Sequence, residues 1–95
     1  MVKVRKMLPK RQRDRPEWEV SVDGQVIGWI TQWQATTSRT LFYRATAIHP
    51  ANGRQVSLES SPDFDNRVRV IEGFHLDTAT GRAHYRERSY DLVRN

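Results

Sequence analysis

The chain contains no cysteine, which excludes disulfides, thiolate catalysis and cysteine-held metals together. That absence suits a reducing compartment. No apolar run approaches the roughly 20 residues that a membrane-spanning helix needs. No apolar segment with a small-residue cleavage site follows the charged N-terminus, so a secretory leader is not expected either. Nucleophile-elbow, phosphate-loop and metalloprotease spacings are also missing. The expectation is therefore a non-enzymatic protein without a cofactor or a membrane partner, placed by default in the cytoplasm.

What is present fits one small domain: 95 residues, of which 37% are hydrophobic, enough for a single modest core. The net charge of +5 is unevenly placed. Lys3, Arg5, Lys6, Lys10, Arg11, Arg13 and Arg15 face only Asp14 among the first fifteen residues, whereas the rest of the chain has nine Arg against ten acids. Pro9 and Pro16 interrupt any regular element there. The reading is a flexible basic arm over residues 1–16 and one small β-rich domain over 17–95.

From Trp18 to Val22 apolar and polar residues alternate, Asp23-Gly24 is a strong hairpin turn, and Gln25 to Trp33 supplies the returning strand. Pairing Val22 with Gln25 sets Val20 against Ile27 and Trp18 against Trp29, with Glu17, Glu19 and Ser21 on the other face. After a polar loop, Thr40 to Ile48 is rich in β-branched and aromatic residues. Pro50-Ala51-Asn52-Gly53 then turns the chain. Pairing His49 with Arg54 sets Ala47 against Val56, Thr46 against Ser57, Ala45 against Leu58 and Arg44 against Glu59.

Ser61-Pro62-Asp63 predicts a helix over about residues 62–72, with Ser61 as cap, Pro62 in the first position and Gly73 at the end. Phe64, Val68 and Ile71 share its apolar face, and the small Ala45 and Ala47 leave room for it on the sheet. Arg67-Val68-Arg69-Val70 also alternates as a strand does, which keeps an all-β fold as the alternative. Residues 76–82 match the turn at 48–54 in shape and predict a third hairpin, with Phe74 opposite Tyr85 and His75 opposite His84. The fold class is thus α+β: an antiparallel sheet of three hairpins with one short helix on one face. The predicted core is Trp18, Val20, Ile27, Trp29, Ala45, Ala47, Val56, Leu58, Phe64, Val68 and Ile71.

Clustered Arg and Lys neutralise phosphates with release of counterions, and a terminal arm reaches along a groove. The plainer reading of such a terminus is a solubilising tail. A nucleic acid, with DNA favoured, is the expected partner, held by Lys3, Arg5, Lys6, Lys10, Arg11, Arg13 and Arg15 together with Arg39 and Arg44 on or beside the exposed sheet face. Trp29, Trp33, Phe42 and Tyr43 would suit a stacking platform, but the register assigns Trp29 and Tyr43 to the core; only Trp33 and Phe42 are left for contact, and for these two core or rim packing is the favoured reading. His75, His84 and Asp77 do not complete a metal site, and none is expected. The order of three antiparallel strands and a helix over residues 17–72, with Trp-Glu-Val-Ser-Val-Asp-Gly followed by Ile-Gly, resembles the sheet-reading DNA-binding domains of plant transcription factors and the arm-binding domains of tyrosine recombinases. That resemblance implies a sheet that enters the major groove and a helix that braces it from behind. The alternative is a protein-interaction module, a regulator, inhibitor or small assembly subunit acting through a sheet surface or edge, or a homo-oligomer formed through it. The pairing of Arg44 with Glu59 favours this alternative, because a neutralised arginine is less available to DNA.

Overall fold

The computed structural model describes residues 1–8, 15–34, 36–37 and 39–79. Five strands, β1 (Val2–Lys6), β2 (Glu17–Val22), β3 (Gln25–Gln34), β4 (Leu41–Ile48) and β5 (Gln55–Ser61), precede one helix, α1 (Phe64–Ala79). The strands form one antiparallel sheet in chain order, and α1 packs on one face of it, chiefly over β4 and β3. The expected α+β class holds.

The first eight residues depart from the predicted arm. Val2 and Val4 pair with Val22 and Val20, while Lys3 and Arg5 pair with Ser21 and Glu19 on the other side of the strand. This period-two alternation is what an edge strand requires. Charged side chains on such an edge also discourage pairing with a second chain. The folded unit therefore begins at Val2, ahead of Glu17.

The β2–β3 turn has Asp23 at φ 51° and Gly24 at φ 81°, the two positive values that a tight two-residue hairpin needs. Val22 pairs with Gln25 as predicted, but a bulge follows. Ser21 pairs with Val26, then Val20 with Gly28, which leaves Ile27 as the extra residue. Beyond it the phase is inverted: Trp18 opposes Ile30, and Trp29 opposes Glu19. Ile30 consequently fills the core, and Trp29 moves to the face that carries Glu17 and Glu19. This corrects the predicted Val20–Ile27 and Trp18–Trp29 pairs.

In the β4–β5 hairpin, Thr46–Ser57 and Ala47–Val56 pair as predicted, and the His49 amide donates to the Arg54 carbonyl at 2.8 Å. The Asn52 carboxamide oxygen accepts from the Arg54 amide at 2.9 Å and Gly53 takes φ 73°, which closes the turn. A second bulge lies between Thr46 and Arg44, so Arg44 pairs with Ser60 and not with Glu59. The Arg67 guanidinium, 6% exposed, donates to the Glu59 carbonyl within that bulge and so ties the helix to the edge strand.

Asp63, not Ser61, caps the helix: its carboxylate accepts from the Asn66 amide at 3.0 Å. The Ser61 hydroxyl accepts from the Asp63 amide at 3.1 Å, forming the turn that leads into the cap, and Pro62 lies outside the helix. The helix also runs through Gly73 to Ala79. Phe74, expected in a third hairpin, is completely buried, and the stretch 74–77 that was to form that hairpin's first strand is helical. Its proposed second strand, with His84 and Tyr85, lies outside the described residues. Val20, Ile27, Ile30, Ala45, Ala47, Val56, Leu58, Val68, Ile71 and Phe74 form the core. Trp18, Tyr43 and Phe64 pack edge to face at its margin, with ring centroids 5.0–5.9 Å apart.

Candidate nucleic-acid interface

With α1 on one face, the other face of the sheet is left uncovered among the described residues. Register orders its side chains into rows across the strands. Lys3, Ser21 and Val26 form the first row, and Arg5, Glu19, Trp29, Thr46 and Ser57 the second. Glu17, Thr31, Arg44 and Ser60 form the third, and Trp33 with Phe42 the fourth.

The charges in these rows are not equivalent. The Arg5 guanidinium donates to Glu19 Oε1 at 3.2 Å, so the second row is locally balanced. Glu17 accepts from the Thr31 hydroxyl at 3.1 Å. Arg44 is exposed between Thr31 and Ser60, two neutral hydroxyl residues, and has no acidic partner among the described residues. The second bulge is the reason: it moves Glu59 off the Arg44 row.

Two aromatic features share this face. Trp33 and Phe42 are half-buried, with ring centroids 5.1 Å apart and planes inclined at 24°. The Trp33 indole N–H donates to Ser60 Oγ at 3.2 Å, which pins the ring across β4. Trp29 is also half-buried and helps to line a shallow open depression of about 260 Å³ together with Glu17, Thr31, Thr46 and Gln55.

The structure brings only some of the predicted cations to one place. Lys3, Arg5 and Arg44 lie on the uncovered face. Arg39 is exposed two residues before β4, and Arg15 is exposed two residues before β2. Lys6 belongs to the helix side, its ammonium 5.8 Å from the Trp18 ring centroid. Lys10, Arg11 and Arg13 lie outside the described residues. Trp29 was missed as a member of this face, although Gly28 beside it carried a signal: an isolated glycine within a strand marks a bulge or a close backbone approach. Among the described residues no group of three His, Cys, Asp or Glu side chains is placed to hold a metal ion. No helix among them is long and apolar enough to cross a membrane. No protein-family model, curated protein or solved structure matches the chain.

Proposed function

We propose that the protein is a non-enzymatic nucleic-acid-binding protein, with DNA favoured, which meets its partner through the uncovered sheet face and through Lys3, Lys10, Arg11, Arg13 and Arg15. The observation that carries this reading is Arg44: an exposed guanidinium on β4 in the uncovered face of the sheet, flanked by hydroxyls and without an acidic partner among the described residues. A cation in that position has no ion pair to break before it makes a charge-assisted hydrogen bond to a phosphate. Lys3 at the sheet edge, and Arg39 and Arg15 beside it, add positive charge around the same face. Serine and threonine hydroxyls between them suit contacts to sugar and phosphate oxygens.

The competing reading is a protein-interaction module acting through the same face. Glu17 and Glu19 favour it, because two carboxylates on an interface repel phosphate. A titration of the full chain against duplex DNA, single-stranded DNA and RNA over a range of salt concentrations decides between the two. Binding whose log affinity falls linearly with log salt is the expected result. No binding to any of the three at low salt overturns the nucleic-acid reading and leaves the protein partner.

A further inference from the structure

We infer that the nucleic acid this face takes is an unpaired strand, with bases stacked on the Trp33–Phe42 rings and the adjoining phosphates held by Arg44 and by Arg39. The inference rests on the nucleic-acid reading above and deepens it.

The width of the sheet argues first against a duplex. Adjacent strands lie about 4.8 Å apart, so the four spacings between β1 and β5 span about 19 Å. The major groove is about 12 Å wide and admits a helix or a two-stranded ribbon. Five strands presented face-on do not enter it. The groove-entering geometry implied by a three-stranded element order is therefore lost once β1 and β5 flank the sheet.

The chemistry of the face argues second for unpaired bases. Its fourth row holds rings and not the donor groups that read base edges in a groove. Stacking on a ring requires a base whose face is free, which a duplex supplies only at its ends. The Trp33–Phe42 pair is held before any ligand arrives, by the mutual stacking and by the bond to Ser60. The charge pattern argues third, because it selects this end of the face over the other. Trp29 stands beside Glu19 and near Glu17. By contrast, Arg44 lies one row from the Trp33–Phe42 pair, and Arg39 precedes β4 at the same end. A strand running over this end places its bases on the rings and its backbone against both guanidinium groups.

The test is fluorescence anisotropy of the full chain with a fluorescein-labelled oligothymidylate and with a labelled duplex of equal length, alongside three variants checked by far-UV circular dichroism. The unpaired oligomer should bind more tightly than the duplex and should quench tryptophan fluorescence. Phe42→Leu, which keeps an apolar side chain at a half-buried position, should weaken oligothymidylate binding about 5- to 140-fold and leave the salt slope unchanged. Trp33→Phe, which retains a ring, should keep most of the affinity and lose most of the quench. Arg44→Gln should make the salt slope shallower by about 0.7. Tighter binding to the duplex, or full affinity in a folded Phe42→Leu, overturns the stacking inference and leaves the broader reading standing. Absence of binding to both probes at low salt overturns both.

Discussion

A Cβ on Gly28 would lie 2.8 Å from Ile71 Cγ2 and would run into the Thr46 carbonyl oxygen, so the helix seats on β3 through a residue without a side chain. Ala45 and Ala47 on the neighbouring strand extend this small-residue floor, and both are completely buried. Gly28→Ala should therefore destabilise the fold by about 1–3 kcal/mol through overpacking, because the backbone oxygen cannot turn aside as a flexible side chain would. Urea denaturation followed at two wavelengths measures this. A midpoint equal to that of the parent protein would show that the helix does not rest there.

The bulge at Ile27 makes a sharp comparison between two neighbours. Ile30 is completely buried, so Ile30→Ala should cost roughly 2–5 kcal/mol. Trp29, larger but only half-buried on the uncovered face, should cost less when replaced by alanine. The opposite order of the two unfolding midpoints would restore the unbulged register, in which Trp18 faces Trp29.

These two residues also show how far the chain could be read in advance. The Asp23-Gly24 turn, the Thr46–Ser57 and Ala47–Val56 pairs and the helix face of Phe64, Val68 and Ile71 follow from local chemistry, and each is in place. The bulges do not follow, because each adds one unpaired residue yet reverses every side chain beyond it. That reversal carried Trp29 to the candidate interface and released Arg44 from Glu59. In the first strand, the alternation of Val2 and Val4 was visible, but Lys3, Arg5 and Lys6 made the segment read as a charge run when it is an edge strand. The helix passes Gly73 although an internal glycine costs about 1 kcal/mol relative to alanine. Burial of Phe74 one residue later offsets that cost, and it is a tertiary contact that local propensity does not contain.

The helix cap yields a third expectation. Asp63→Ala removes the acceptor for the Asn66 amide and should lose about 0.5–2 kcal/mol. Ser61→Ala removes only the lead-in turn and should lose less. Thermal unfolding of the two single variants distinguishes them, and a larger loss at Ser61 would move the start of the helix back to the predicted position.

The pairing of β1 with β2 changes how the basic N-terminal residues have to be tested. Deleting residues 1–15 would strip Val2 and Val4 from Val22 and Val20 and expose the edge of β2, so lost binding would be confounded with lost fold. Charge removal without truncation avoids this. Lys10, Arg11, Arg13 and Arg15 all lie outside β1, and a variant with all four replaced by glutamine keeps the strand intact. If each of the four contacts one phosphate, the slope of log affinity against log salt should become shallower by roughly 3 units on a single strand. The Phe42→Leu effect should persist in that background, since stacking releases no counterions. An unchanged slope would show that the cations between β1 and β2 do not touch phosphate, and would confine the contact to Lys3, Arg39 and Arg44.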